Sequence, residues 1–178
     1  LDTGPVRYRL SMPIENNTTG GTLEAALATL GAKALLTVIS DLSLPAHTPE
    51  PQSHSGVTYA DKLSAEDRVL DFSKAATVIA RKINALSPRL ACSIESEDSL
   101  RIRCLAATAA PEAPTDGAPP GTVLHCNREG LTLATGSGTL CLHRLQVLKG
   151  KAAVLDAPAF FNGYGRHLAA GSRFASVH

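Results

Sequence analysis

The alternation of apolar and polar residues divides the chain into stretches of different period. Val6, Tyr8, Leu10 and Met12 fall on one side of a two-residue repeat and Arg7, Arg9 and Ser11 on the other. That predicts a strand over 6–14 with one wet face, ending near Pro13 or lying at a sheet edge. Turn chemistry follows in Asn16-Asn17-Thr18-Thr19-Gly20-Gly21, with Thr19 or Thr22 able to cap a helix. Leu23, Leu27 and Leu30 then recur at helical spacing, Gly31 interrupts, and the pattern resumes through Leu35, Leu36 and Ile39 to Leu42. The expectation is two abutting helices or one kinked helix.

Between 43 and 56 the apolar pattern gives way to Pro45, Pro49, Pro51, His47, His54 and several serines. Proline removes backbone donors and favours extended chain, so this stretch reads as a linker, completed by a short extended segment at 57–63. Ser73 is a candidate N-cap. Ala76, Ile79, Ile83 and Leu86 then form one apolar helix face, with Lys74, Thr77, Arg81 and Asn84 opposite. Ser87-Pro88 stops that helix.

Beyond Pro88 the period shortens to two. Strands are predicted at 90–96, 100–107, 122–126, 131–135 and 139–146, with turns at 97–99, 127–130 and 136–138. Leu100, Ile102 and Cys104 point inward and Arg101 and Arg103 outward. Five short strands with tight turns fit a small barrel, which removes the exposed edges such strands would leave.

Composition narrows the picture in a few places. At 44% hydrophobic but only 4% aromatic, with no Trp, the core must rest on Leu, Val, Ile and Ala. A net charge of +1 means that any nucleic-acid surface depends on local clustering of the 17 Lys and Arg residues. Cys92, Cys104, Cys126 and Cys141 are separated by long, unequal gaps. They read as reduced core thiols of a cytosolic protein, with a disulfide as the alternative, and not as a zinc site. None of the six histidines pairs at helical ligand spacing, and no dinucleotide or Walker glycine pattern occurs, so no metal or nucleotide cofactor is expected. No stretch reads as the roughly 20 apolar residues of a membrane span, and no charged-then-apolar leader opens the chain. A cytoplasmic location without membrane contact is expected, in a monomer. The first residue is Leu, so the chain is expected to begin inside a longer reading frame.

Several stretches, taken in order, resemble the methionyl-tRNA formyltransferase family. They are Leu1-Asp2-Thr3-Gly4, Thr19-Gly20-Gly21-Thr22-Leu23, and Leu27-Ala28-Thr29-Leu30-Gly31-Ala32. Val57-Thr58-Tyr59-Ala60-Asp61-Lys62-Leu63 and Leu70-Asp71-Phe72-Ser73 follow, then Pro120-Gly121-Thr122-Val123-Leu124 and Phe160-Phe161-Asn162-Gly163. The sequence departs from the family at Phe72, where a Trp is usual, and at 86–91, which reads Leu-Ser-Pro-Arg-Leu-Ala in place of N-P-W-P-G-A. The resemblance implies the α/β tail of a formyltransferase Rossmann-like domain followed by a small five-stranded OB-like β-barrel. Residues 1–42 would close the catalytic domain, 43–63 would link, and 64–178 would hold a linker helix and a tRNA-binding domain.

The same resemblance implies chemistry. The family passes the formyl group of 10-formyltetrahydrofolate, which is the donor substrate, to the α-amino group of initiator methionyl-tRNA. An oxyanion develops, and donors and a proton route must serve it. Asp2 matches the family's catalytic Asp, which orients a His, and Asp2, Thr3 and Gly4 match the donor-side loop. The N-x-H and S-L-L-P segments of the family do not occur in these 178 residues, so the chain alone is expected to be inactive. The tRNA would meet Lys62, Lys74, Arg81, Lys82, Arg101, Arg103, Lys149 and Lys151 through sequence-independent phosphate contacts. Two other readings remain: a formyl transferase that uses a nucleotide sugar or water as acceptor, and a non-catalytic RNA-binding module with no need of Asp2.

Overall fold

The computed structural model describes residues 3–40, 48–111, 113, 117–149 and 152–177. It separates into two compact units, Leu1–Glu15 with Thr22–Leu63, and Asn16–Gly21 with Ser64–His178.

Most of helix α1 (Gly20–Ser40) belongs to the first unit, and it runs through Gly31 without interruption. The expected break is absent because one helical glycine costs only about 1 kcal/mol relative to alanine, and Ala25, Ala26, Ala28, Ala32 and Ala34 surround it. Ser40 ends the helix by donating from Oγ to the Leu36 carbonyl at 2.6 Å. No side chain of α1 is buried, and Leu27, Leu35, Leu36 and Ile39 are exposed. By length and composition α1 could cross a membrane, which corrects the reading that no stretch is apolar enough. Alanines between the leucines raise its hydropathy. A single such helix is weak evidence for a span, and Glu24 and Lys33 lie within it.

The strand expected over 6–14 does not form. Val6 makes an isolated antiparallel bridge to Glu50 through two 2.8 Å backbone hydrogen bonds. Alternation alone cannot build a strand without a partner ladder, and Glu50 is the only partner among the described residues. Part of the expected linker, 43–47, lies outside the described residues. Residues 57–63 have no regular structure.

The second unit is a curled antiparallel sheet with helices. Its strands are β1 (Ser93–Ser96), β2 (Arg101–Ala110), β3 (Val123–Cys126), β4 (Leu131–Ala134), β5 (Thr139–Val147), β6 (Val154–Asp156) and β7 (Phe174–Val177). They run in the order β3-β4-β5-β2-β1-β7, with β6 on β5. The five expected strands are present. The two additional ones, Val-Leu-Asp and Phe-Ala-Ser-Val, carry no apolar–polar alternation. Bulges interrupt the β2–β5 ladder between Cys104 and Ala107, which increases local twist. The two end strands come together where Val123 N–H donates to the Ser172 carbonyl, Gly171 N–H to Val123, and Phe174 N–H to Gly121.

Helix α2 (Ala76–Leu86) packs on β2, and Ile79, Ala80 and Ile83 join a core of Ile94, Ile102, Leu131, Leu133, Leu140, Leu142 and Leu145. That core is aliphatic, as the composition requires. Two expectations about α2 are corrected. Ser73 does not cap it: its N–H and Oγ both bind Asp71 Oδ1, and the N-cap position is Ala75. The first α2 amide, Ala76 N–H, is taken by the Ser137 carbonyl. Asn84 does not lie on the wet face. It is 3% exposed and clasps the backbone of Ala107. Helix α3 (Ala157–Gly163), not foreseen, carries Phe160 into the core. Its signal was legible: Asp156 caps it through the Ala159 N–H at 2.9 Å, with Pro in the first turn.

Candidate functional site

The basic residues expected to meet RNA do not share one environment. On the second unit, Lys74 Nζ lies 3.8 Å from Asp71 Oδ2. The carboxyl of Asp71 is held below its ordinary pKa first by the Ser73 hydroxyl. Lys82 is half-buried and donates to the Val69 carbonyl at 2.8 Å, tying the helix to the preceding segment. Both cations therefore have structural partners. Arg81, one turn on from Thr77, is exposed, and no ion pair engages it among the described residues.

Arg101 and Arg103 point to the same side of β2, away from the buried Ile102 and Cys104, as alternation requires. Register places Arg101 opposite Glu95, and Arg103 opposite Ser93 on one side and Gln146 on the other. Arg144, two residues before Gln146, lies on the same face opposite Asp156. The sequence reading passed over Arg144 although its strand was recognised. Directly opposed residues interact across a ladder, so Glu95 and Asp156 offset Arg101 and Arg144, and Arg103 is the cation of this face with no acidic residue opposite. α2 packs its apolar side on the other face of β2, so Arg81 and Arg103 do not belong to one continuous patch.

Lys149 is exposed after β5, and Lys151 lies outside the described residues. Lys62 is exposed in the first unit. Asp2 also lies outside the described residues. Thr3 and Gly4 are exposed, and the Gly4 carbonyl accepts from Gln52 Nε2 at 2.7 Å.

A groove of about 410 Å3 opens between α2 and β2, lined among others by Asn16, Asn17, Thr77, Arg81 and Thr108. Thr108 Oγ1 is 2.5 Å from His143 Nε2, and His143 Nδ1 is 2.9 Å from the Glu129 carbonyl. None of Asn16, Asn17, Thr77 or Thr108 was singled out as a site residue. Asn16 and Asn17 read as turn residues, and Thr77 and Thr108 carry no periodic signal beyond one polar position each.

Burial disfavours the thiolate form of all four cysteines. It pushes Cys92 and Cys126 up to about 11 and also raises Cys104 and Cys141. Among the described residues no group of three or more His, Cys, Asp or Glu gathers at metal-binding range.

Comparison with known proteins agrees with this architecture. The family model described as the C-terminal domain of formyl transferases matches residues 62–165. Methionyl-tRNA formyltransferase of Ralstonia nicotianae is 38% identical over 180 residues, covering 99% of this chain and 52% of that protein. That of Pseudomonas fluorescens is 37% identical over 172 residues, covering 97% and 52%. The chain thus spans about half the length of the curated relatives it matches. Among solved structures, a variant of HypX from Aquifex aeolicus superposes with a TM-score of 0.67 at 16% identity, over 94% of this chain and 30% of that one. HypX in complex with tetrahydrofolic acid gives 0.63 at 17% identity, over 90% and 28%. These structural likenesses speak for the fold. With more than half of its residues matched by the family model and a curled antiparallel sheet of the kind that domain contains, the chain belongs to the formyl transferase family and carries its C-terminal domain.

Proposed function

We propose that the chain is the later part of a methionyl-tRNA formyltransferase, which moves the formyl group of 10-formyltetrahydrofolate to the amino group of initiator methionyl-tRNA. The observation that carries this reading is the near-complete coverage of the chain by two such relatives at 37–38% identity. Residues 1–42 supply the end of the catalytic domain, 43–63 the link and 64–178 the tRNA-binding domain. In this reading the exposed apolar face of α1 packs against the remainder of the catalytic domain. The meeting of residues 121–123 with 171–174 supports an OB-like barrel.

The mechanism follows from the family's chemistry. Asp2 orients a His supplied by the N-x-H segment, and the His and Asn serve the oxyanion that forms as the amine attacks the formyl carbon. Thr3 and Gly4 hold the loop against the donor. Phosphate contacts come mainly from Arg81, Arg103, Lys62, Lys149 and Lys151, while Lys74 and Lys82 act with the partners they already hold and Arg101 lies opposite Glu95.

The test is a formyl-transfer assay with initiator methionyl-tRNA. A longer protein carrying these residues and the N-x-H segment turns over, its Asp2→Asn variant loses orders of magnitude in kcat with little loss of stability, and the 178-residue chain alone does not turn over. Turnover by the chain alone, or full activity in the Asp2→Asn variant, contradicts the assignment.

A further inference from the structure

We propose that the groove between α2 and β2 receives one nucleotide of the RNA partner, with its phosphate against Arg81 and its base and ribose against Asn16 and Asn17. The inference rests on the tRNA reading above and gives it a specific site. The groove's volume, about 410 Å3, falls in the range of roughly 300–1,000 Å3 typical of small-ligand sites. Among the described residues its lining contains one cation and no carboxylate, which favours an anion. Arg81 is exposed and has no ion pair among the described residues, whereas Lys74 just before the helix and Lys82 on it contact Asp71 and Val69. A guanidinium presents a planar fork that matches two phosphate oxygens.

The rest of the lining suits a base and a sugar. Each Asn amide offers both a donor and an acceptor, the combination that base edges require. Thr108 turns its side chain to the opposite face of β2 from Ala107 and Ala109, where its Oγ1 meets His143 Nε2. Ala80, Ala107 and Ala109 form an apolar floor against which a base can lie, and the double hydrogen bond from Asn84 to Ala107 fixes that floor in place. A groove of this size admits one unstacked nucleotide and excludes a duplex, which is how proteins read RNA loops and ends.

The experiment follows the Asn16 and Asn17 side-chain amide signals of the 178-residue chain by NMR during titration with AMP, with adenosine and with initiator tRNA. AMP should shift them saturably and adenosine more weakly. Arg81→Gln should weaken AMP by roughly tenfold or more, as expected for losing a charge-assisted hydrogen bond, and leave adenosine unchanged. Asn17→Ala should weaken both, and tRNA should displace AMP. Absence of a saturable AMP shift up to about 10 mM, equivalent to binding weaker than about 3 kcal/mol, overturns the site, as does an Arg81→Gln variant that binds AMP normally. If AMP binds through Arg81 and tRNA binds without displacing it, the groove is a free-nucleotide site and its assignment to RNA is wrong. If AMP binds and tRNA does not bind at all, the tRNA reading fails while the nucleotide site stands.

Discussion

Replacing Asn84 by Ala tests how the sheet is completed where its neighbouring strand runs out. β1 pairs with β2 only as far as Ser93 opposite Arg103, with one further bond from Cys104 N–H to the Cys92 carbonyl. Beyond that point α2 takes over the role of a strand. Ser87 Oγ donates to the Leu105 carbonyl at 2.7 Å, Asn84 Nδ2 donates to the Ala107 carbonyl at 2.8 Å, and Ala107 N–H donates to Asn84 Oδ1 at 2.9 Å. Asn84 and Ala107 are 3% and 2% exposed, so water cannot replace the lost partner. Asn84→Ala strands one buried donor and one buried acceptor at roughly 1–3 kcal/mol each, which predicts a loss of about 2–6 kcal/mol. Urea unfolding of the chain measures the loss, and hydrogen exchange of the Ala107 amide localises it. Asn84→Asp gives an independent check: its buried carboxylate cannot donate to the Ala107 carbonyl at neutral pH, but its protonated form can. Stability of that variant should therefore recover as pH falls. A loss under about 1 kcal/mol with unchanged Ala107 protection refutes the reasoning.

Other predictions concern the same unit. Gly136→Ala should prevent the 135–138 turn from docking, because an added Cβ would fall 1.8 Å from the Ser73 carbonyl oxygen, and loss of cooperative thermal unfolding is the readout. Thr122 Oγ1 is buried without a hydrogen-bond partner among the described residues, so Thr122→Val should be neutral or raise stability by about 1 kcal/mol in urea titrations. The raised thiols of Cys92 and Cys126, near 11 in the folded chain against an ordinary 9.0, keep their protons where the unfolded chain loses them. Their contribution is complete below pH 9 and is lost as pH rises toward 11, so the melting temperature should fall across that window. Arg103→Glu should weaken initiator tRNA binding and reduce its salt dependence more than Arg101→Glu does, since Glu95 already opposes Arg101; filter binding at two salt concentrations separates them.

The sequence by itself determined the local features that repeat. Five strands of the sheet, the apolar face of α2, the aliphatic core and the outward direction of Arg101 and Arg103 all follow from period and composition, because a period of two or 3.6 states directly which side chains share a face. The ordered motifs likewise carried the family. Only the tertiary structure decided what depends on partners distant in the chain. Residues 6–14 alternate like a strand but find a single bridge at Glu50. Ser73 has the chemistry of a cap, yet Asp71, two residues away, claims it. Asn84 reads as a wet-face residue and becomes the edge partner of β2, because β1 ends and leaves buried backbone groups that something polar must satisfy. The basic residues show the same limit. Their sequence gives equal charge to Lys82 and Arg81, and only the fold spends one on the Val69 carbonyl and leaves the other facing the groove.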